Sequence, residues 1–372
     1  MITNSCEAPR RLPESFTVNL TEPPFVVRHT GIMLLLATVA ACGGAREQSS
    51  RSSVALTGAG ATFPYPIYSK WFADYARQSG VKINYQSIGS GGGIRQLSEG
   101  TVDFGASDAP MTDAELKAAK GPVMHFPTVI GAVAVTYNLP ALRAPLRLTG
   151  GVLAGIFLGQ IRKWNDSRIT AINPGVALPA TDILVAHRSD GSGTTYIFSD
   201  FLSTVSHDWS QGPGRGKELS WPVGIGAKGN EGVAGQVKQT PGAIGYAELA
   251  YARQNSLPTA AVQNASGAYV EPSVESATAA AAGEATTLPA NTDYRVSIVN
   301  APGAGAYPIA SFTWLLVYRG QADSAKAAHL KAFLHWYLTT GEQSAASLDY
   351  APLPPAMIQR LSSRVDSLGA GT

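Results

Sequence analysis

A short segment near the middle of the chain has the composition of an anion-binding loop. Residues 188–194 read RSDGSGT and precede a predicted helix over residues 195–202. The two glycines let the backbone turn tightly, Ser192 and Thr194 supply hydroxyl donors, and the helix adds about half a positive charge at its N-terminus. The segment predicts a binding site for a small anion. The alternative, a Gly/Ser turn that only caps a helix, stays open.

Several other chemistries do not fit this segment. It has no lysine, so it is not a G-x-x-x-x-G-K-[ST] nucleotide loop, and it lacks the G-x-S-x-G spacing of a hydrolase nucleophile elbow. The six histidines have no H-x-x-x-H spacing, so we expect no metal site. His187 precedes Arg188 and either lines the same site or is an ordinary solvated or core histidine.

Three predicted strand-to-helix junctions place further polar residues in the first part of the chain. Thr62, Ser90 and Asp108 follow predicted strands over residues 54–57, 82–87 and 102–107. The predicted helices cover residues 66–78 and 94–99, and a third begins after Thr112 as its cap. A βαβ pattern brings such junctions to one edge of a parallel sheet, where open α/β sheets bind ligands. Singly, each residue also fits a plain cap or turn position.

Two apolar segments predict that the chain passes twice between two lobes. Residues 125–138 read as a long strand, and residues 308–318 read as its return. We therefore expect lobe I to comprise residues 54–130 and 305–372, and lobe II to comprise residues 131–304. Between and after these segments the predicted helices cover residues 149–165, 277–285 and 325–340, another helix opens within 224–233, and the predicted strands cover 182–187 and 243–246.

The composition excludes some classes of protein. With 372 residues, 45% hydrophobic and 15% charged, the chain is long enough for two folded units with sizeable cores. A net charge of +2 and the lack of a Lys/Arg stripe argue against a nucleic-acid partner. The two cysteines are Cys6 and Cys42, and the first lies in a segment that we expect to be removed, so no structural disulfide is expected.

The N-terminal segment has the pattern of an export signal. Residues 31–41 form an apolar run that is too short to span a bilayer, and they precede Cys42 in a sequence that resembles a bacterial lipobox. We expect residues 1–41 to be a signal of the lipoprotein type, Cys42 to be lipidated and residues 42–53 to be a flexible tether. The acidic, proline-containing residues 1–27 suggest a mis-assigned start, with Val27 as one candidate initiator.

Seven segments in one order give the chain a resemblance to a known family. They cover residues 56–64 (LTGAGATFP), 88–94 (IGSGGGI), 102–110 (VDFGASDAP), 159–165 (GQIRKWN), 188–194 (RSDGSGT), 241–246 (PGAIGY) and 349–354 (DYAPLP). The chain resembles the phosphate-binding proteins of bacterial ABC phosphate importers, the PstS family, over residues 54–360. Several motifs in the same order are far more specific than any single loop.

This resemblance implies the fold and the function. The fold would be α/β, a two-lobe periplasmic-binding-protein fold of class II, with a mixed, mostly parallel sheet and flanking helices in each lobe and a ligand cleft between the lobes. The protein would be a monomer outside the cytoplasm, it would not be an enzyme, and it would need no cofactor or metal. It would capture inorganic phosphate and deliver it to a membrane ABC permease.

The resemblance also assigns roles to particular residues. It carries ligand roles to eight positions: Thr62, Phe63, Ser90, Asp108, Arg188, Ser192, Gly193 and Thr194. The hydroxyls and the backbone amides would donate to phosphate oxygens, and Arg188 would supply the one full positive charge, held in place by Asp190. Asp108 would accept the proton of a P–OH group, which sulfate lacks near neutral pH.

Two other functions stay open at this stage. A secreted phosphomonoesterase could use Ser192 or Thr194 as its nucleophile, but the anion loop has no evident general base beyond the neighbouring His187. The same binding fold could instead carry molybdate or sulfate, and Asp108 argues against both because neither ion has a proton to donate. Arsenate resembles phosphate in shape and protonation and stays open as a ligand.

Overall fold

The computed structural model describes three stretches of the chain, residues 55–283, 288–289 and 292–370. The predicted export signal, the tether and the candidate lipidation site Cys42 lie outside them, as does the end of the helix predicted over 277–285. Within the described stretches, no helix is both long enough and apolar enough to cross a membrane.

Eight strands form the largest sheet of the described residues, in the order β2-β1-β3-β11-β4-β8-β6-β7. The described strands are β1 (Ala55–Gly60), β2 (Lys82–Ser87), β3 (Phe104–Ser107), β4 (Val123–Tyr137), β5 (Arg147–Leu148), β6 (Leu184–Arg188), β7 (Ile225–Ala227), β8 (Ala243–Glu248), β9 (Ala261–Gln263), β10 (Tyr269–Val270), β11 (Ala310–Tyr318), β12 (Gly320–Gln321) and β13 (Gly369–Ala370). Strands β2, β1 and β3 are parallel, as are β8, β6 and β7, whereas β11 and β4 run antiparallel to their neighbours.

Helices pack against strands in both halves of this sheet. The described helices are α1 (Tyr65–Ser79), α2 (Ser90–Glu99), α3 (Asp113–Ala118), α4 (Gly150–Phe157), α5 (Ser167–Thr170), α6 (Gly193–Val205), α7 (His207–Gln211), α8 (Gly229–Gln239), α9 (Leu249–Gln254), α10 (Val274–Ala281), α11 (Ser324–Thr339) and α12 (Pro355–Asp366). Short 3₁₀ turns follow α11 at Gly341–Ser344 and Ala346–Leu348.

Strand β4 joins the two halves of the sheet. Its 15 residues are rich in Val and Ala and are buried almost throughout, as expected for a strand covered on both faces. Its first part pairs with β11 and its last part, from Val133 to Tyr137, pairs with β8. The chain therefore has the predicted two-lobe α/β fold of periplasmic-binding proteins, with one strand common to both lobes.

Aromatic packing explains why α1 lies where it does. Ile67, Trp71 and Tyr75 recur every fourth residue, and all three are buried, which confirms the apolar face predicted for this helix. The Trp71 ring stacks on Tyr337 of α11 with a centroid separation of 5.5 Å, and its indole N–H donates to the Gly341 carbonyl at 2.8 Å. Helix α11 is thus fixed to the first lobe.

Three predicted boundaries are wrong. Strand β1 continues to Gly60, where a turn was predicted, because it pairs with β2 along its whole length. Helix α2 begins at Ser90 rather than at residue 94 and includes three glycines, since packing on β1 and β3 outweighs their low helix propensity. The helix predicted over 149–165 ends at Phe157, and Gly159 then turns the chain with φ 71°.

Candidate functional site

The predicted ligand residues are buried and lie close together. Seven of them are between 0% and 3% exposed: Thr62 2%, Phe63 0%, Ser90 0%, Asp108 1%, Arg188 3%, Ser192 0% and Thr194 0%. Gly193 is buried as well. The first four follow β1, β2 and β3, whose order β2-β1-β3 brings their carboxyl ends to one edge, as predicted from the βαβ pattern.

Ser90 and Gly193 join the two lobes directly. The amide of Gly193 donates to Ser90 Oγ at 3.0 Å, and the amide of Asp108 donates to the same oxygen at 3.2 Å. A Cβ atom at Gly193 would lie 2.5 Å from Ser90 Oγ and 2.6 Å from Asp108 Cβ. Position 193 therefore needs glycine because the side chains of Ser90 and Asp108 occupy the place where a Cβ atom would lie.

Asp108 is a buried carboxyl with two hydroxyl donors. Thr313 Oγ1 donates to its Oδ1 at 2.8 Å, and Ser90 Oγ lies 3.4 Å from its Oδ2. Burial raises the pKa of Asp108 to about 7, against the opposing effects of the Thr313 bond, the positive Arg188 and the Ser90 bond. The carboxyl is therefore able to hold or release a proton near neutral pH.

Arg188 and Asp190 form the predicted pair. Arg188 Nε donates to Asp190 Oδ1 at 2.7 Å and its Nη2 donates to Oδ2 at 2.5 Å, so one edge of the guanidinium is bound by both carboxylate oxygens. Burial acts to raise the pKa of Asp190, but these bonds and the charge of Arg188 lower it overall. The remaining Nη1 donates to Thr194 Oγ1 at 3.3 Å. The pair orients Arg188 toward the other site residues.

The N-terminus of α6 forms the second lobe's part of the site. Ser192 is the N-cap, since its Oγ accepts from the amide of Thr195 at 3.0 Å. Among the described residues, neither the amide of Thr194 nor that of Phe63, in the first lobe, donates a hydrogen bond. Together with the N-terminal ends of α1, α2 and α8, these amides give the site the partial positive charge of several helix termini.

Two buried polar residues of the site were missed in the sequence. Asn230, at the start of α8, donates from Nδ2 to Thr62 Oγ1 at 2.7 Å and to Thr194 Oγ1 at 3.1 Å. Thr313, in the middle of β11, binds Asp108. Position 230 carried a weak signal, an asparagine at the start of a helix after a Gly-rich run, whereas Thr313 looked like any strand threonine.

His187 does not take part in this arrangement. Its ring stacks on Trp221 with a centroid separation of 4.6 Å, and its Nδ1 lies 3.0 Å from the Arg188 carbonyl oxygen. Burial lowers its pKa, against the effect of that backbone contact. It is a half-buried aromatic residue of β6, as the plainer of the two sequence interpretations predicts.

Further contacts hold the lobes together at the edge of the site. The amide of Gly91 donates to the Gly191 carbonyl at 2.9 Å, and Lys217 Nζ lies 2.5 Å from Glu115 Oε1. A cavity of ≈ 710 Å³ lies beside them and is lined by charged residues of both signs: Arg95, Glu115, Asp190, Lys217, Glu218 and Lys228. The lobes are thus closed over the buried polar groups. The cavity lies beside the seam, the surface along which the two lobes meet.

Two lobes that share a strand and meet around buried hydrogen-bond donors define a binding protein of the periplasmic type. A model of the PBP superfamily domain matches residues 45–340. The chain belongs to that superfamily and, within it, to the PstS family of phosphate-binding proteins. The family resemblance inferred from the seven segments is thereby confirmed.

The relatives are similar over most of their length. A phosphate-binding protein PstS from Xylella fastidiosa is 49% identical over 311 residues, which are 83% of this chain and 84% of the relative. One from Pasteurella multocida is 46% identical over 307 residues, or 82% of this chain and 88% of the relative. The crystal structure of a phosphate-binding protein from Stenotrophomonas maltophilia aligns with a TM-score of 0.66 at 19% identity, covering 84% of this chain and 94% of that one.

Proposed function

We propose that this chain captures inorganic phosphate outside the cytoplasm and delivers it to a membrane ABC-type phosphate importer. One observation carries the proposal: buried hydroxyls, amides and Arg188 converge on a place that also holds one buried carboxyl, Asp108. Donors suit the oxygens of an oxyanion, and the carboxyl suits an oxyanion that still carries a proton. The relatives named phosphate-binding protein PstS support the same ligand.

The ligand would be bound by neutral donors and one cation. Thr62, Ser90, Ser192 and Thr194 would donate their hydroxyl protons, and the amides of Phe63 and Thr194 would point at phosphate oxygens. The amide of Gly193 would have to exchange its bond to Ser90 Oγ for one to the ligand. Arg188 would bind through the edge that Asp190 leaves free. Because Asp190 binds Arg188 within a single lobe, this part of the site would need little reorganisation when the ligand binds.

Asp108 would distinguish phosphate from sulfate. Phosphate near neutral pH carries at least one P–OH, which the ionised carboxylate can accept, whereas sulfate brings its charge without a proton. Two unit charges about 4 Å apart repel by about 4 kcal/mol at an effective dielectric near 20. That repulsion corresponds to roughly a thousandfold in affinity. The buried position and raised pKa of Asp108 support a group that shares one proton with its ligand.

The two lobes would open and close around the ligand. We assign residues 54–130 and 305–372 to lobe I and residues 131–304 to lobe II, with β4 and the segment before β11 as the connections. The bonds Gly91–Gly191, Gly193–Ser90 and Asn230–Thr62 would form on closure and break on opening. Residues 1–41 would direct export, Cys42 would carry a lipid anchor, and the protein would act as a monomer.

The protein would bind without turning over its ligand. Ser192 accepts the Thr195 amide as a helix cap, and Thr194 accepts from Arg188 and Asn230. Neither hydroxyl has a hydrogen bond to a histidine or lysine among the described residues, as an activated nucleophile would need. Hydrolysis of a chromogenic phosphate ester that Ser192→Ala abolishes would contradict this.

The experiment is a calorimetric titration of the purified protein with phosphate and then with sulfate. We expect saturable binding of one phosphate per chain and weak or undetectable binding of sulfate. Equal affinity for the two ions would contradict the assignment of phosphate as the selected ligand. A protein that binds neither would contradict the proposed function as a whole.

A further inference from the structure

We propose that Asn230 is a positioning residue that fixes the direction of two threonine hydroxyls, one in each lobe, so that both can only donate to the ligand. The inference rests on the proposed function and goes beyond it, because it names a residue that would not touch phosphate. It concerns how the closed site selects a ligand that has many hydrogen-bond acceptors.

Thr62 is held by two donors from the same residue. Asn230 Nδ2 donates to Thr62 Oγ1 at 2.7 Å, and the backbone amide of Asn230 donates to the same oxygen at 3.2 Å. A threonine hydroxyl has two lone pairs and one proton. Since both lone pairs are occupied, the proton of Thr62 has to point away from Asn230, toward a group that accepts.

Thr194, which lies in the lobe opposite Thr62, is held in the same way. Its Oγ1 accepts from Asn230 Nδ2 at 3.1 Å and from Arg188 Nη1 at 3.3 Å. Its proton is therefore also directed away from both donors. One side-chain amide thus acts on hydroxyls of both lobes at once, and both hydroxyls become donors for the same reason.

The amide of Asn230 is itself fixed in orientation. The backbone amide of Glu248 donates to Asn230 Oδ1 at 2.9 Å, so the oxygen faces β8 and the nitrogen faces the threonines. The side chain is fully buried, so water does not compete for these positions. Glu248 Oε2 is bound by the amide of Ala250 and by Tyr350, which keeps that oxygen engaged elsewhere.

This arrangement couples donor direction to closure. Asn230 lies in the second lobe and Thr62 in the first, so both Asn230–Thr62 bonds require the closed state. When the lobes separate, Thr62 loses these donors and its hydroxyl can rotate. The site would therefore become a fixed set of donors only after closing, and a guest that must donate protons to Thr62 or Thr194 would be disfavoured.

The test is a double-variant cycle on phosphate affinity. Asn230→Ala is expected to weaken binding by at least about tenfold, the lower end of what one hydrogen bond to a charged group contributes. Combined with Thr62→Val, which has no hydroxyl to direct, the same change should cost at least about threefold less than it does alone. Combined with Thr62→Ser, which keeps the hydroxyl, its full cost should return.

Asn264→Ala is the matched control. Asn264 is buried as well, and its Nδ2 donates to three backbone carbonyls, those of Gly303, Ala304 and Ala306, away from the site. This variant should lower the melting temperature and leave phosphate affinity unchanged. A loss of affinity equal to that of Asn230→Ala would mean that any lost buried amide has the same effect, and it would overturn the proposal.

The remaining outcomes separate the two proposals. If the wild-type protein binds phosphate and the losses from Asn230→Ala and Thr62→Val multiply, Asn230 does not act through Thr62 and this inference fails. A double variant without measurable binding, when both single variants bind, counts as multiplication. If the wild-type protein does not bind phosphate, the proposed function fails first.

Discussion

Asp108 combines two properties that oppose each other in an anion site. It is a carboxyl group, which repels anions when ionised, and it is buried beside the donors that would attract them. Its bond from Thr313 stabilises the ionised form, whereas burial stabilises the protonated form, and burial wins. In the proposed site, a group balanced in this way would respond to whether the bound anion brings a proton.

We therefore expect Asp108→Asn to narrow the difference in affinity between phosphate and sulfate. The amide removes the charge that repels sulfate, so sulfate should gain up to about a thousandfold, the equivalent of about 4 kcal/mol. Titration calorimetry with both ions measures the ratio.

Asp103→Asn is the control for this change. Asp103 accepts hydrogen bonds from Thr57 and Lys326, none of which belongs to the proposed ligand set, and the variant should keep the wild-type ratio. Sulfate rejection that is unchanged in Asp108→Asn would remove Asp108 from its discriminating role.

The buried carboxyl of Glu342 should make the free energy of unfolding depend on pH, and this effect is separate from ligand binding. It is 7% exposed, its Oε2 accepts from the Leu353 amide, and burial raises its pKa to about 8 against that bond. The folded protein therefore keeps a proton that the unfolded chain releases near pH 4.3. Between these values the free energy of unfolding should fall as pH rises, by at most about 1.4 kcal/mol per pH unit.

Urea unfolding of Glu342→Gln at several pH values measures this contribution. The variant should lose less stability than the wild type between about pH 5 and pH 8, because glutamine has no proton to release. Glu99→Gln, at an exposed position, is the control and should follow the wild type. A slope that is the same in all three proteins would show that Glu342 does not titrate in this window.

Helix α3 shows how a short element can serve both folding and closure. Thr112 caps it, and Glu115 completes a capping box by accepting from the Thr112 amide through Oε2. The other carboxylate oxygen, Oε1, binds Lys217 of the opposite lobe. Burial acts to raise the pKa of Glu115, but the Lys217 and Thr112 bonds lower it overall. The backbone carbonyl of Lys217 in turn accepts from Ser192, beside the proposed ligand.

Lys217→Met should therefore weaken the closed state without disturbing the cap. The side chains of Lys217 and Glu115 are 17% and 28% exposed, so water screens the pair only partly. We expect phosphate to bind about twofold to fivefold more weakly, in keeping with about 0.4 to 1 kcal/mol for one such pair. Phosphate titrations at low and high salt would measure the effect, which should shrink as salt is added.

Lys163→Met provides the comparison for this variant. Lys163 pairs with Asp182 at 2.7 Å, with side chains 56% and 80% exposed, and both residues belong to the second lobe. The phosphate affinity of Lys163→Met should match that of the wild type at every salt concentration. A Lys217→Met protein that behaves in the same way would show that the pair across the seam does not contribute to closure.

The helices and strands differ in how far the sequence predicts them. Strand β2 is found as predicted at Lys82–Ser87, because polar and apolar residues alternate along it. Helix α11 differs from its prediction by one residue at each end. Strand β7, Ile225–Ala227, was missed because its three residues lie in a Gly-rich run and gain order only by pairing with β6. Helix α12 was missed too, although Pro355 at its first turn is a recognised start signal.

The sequence predicts which loops form the site, but it does not predict the hydrogen bonds between residues that lie far apart in the chain. The ligand candidates follow strands in local motifs, so their approximate location could be read from the order of the elements. Asn230 and Thr313 act on residues 168 and 205 positions away, and such contacts follow from the packed sheet rather than from any local pattern. Whether the predicted ligand residues bind phosphate stays a prediction.

At the level of the whole chain, phosphate should act as a stabiliser. A ligand that binds the folded state alone adds about 2.7 kcal/mol at a free concentration of 100 times its dissociation constant. For a chain of this size we expect the melting temperature to rise by roughly 5 °C. Differential scanning fluorimetry with phosphate, and with sulfate at equal ionic strength, would test this, and equal shifts for the two ions would indicate general anion effects.

The strand common to both lobes has a consequence for how the protein comes apart. Because β11 depends on the first part of β4 and β8 depends on its last part, neither half of the molecule keeps a complete sheet when the other melts. Heating should give a single calorimetric peak. Fragments produced by cleavage within residues 123–137 should not fold independently. Two fragments produced by cleavage in an exposed loop should instead be able to reassemble.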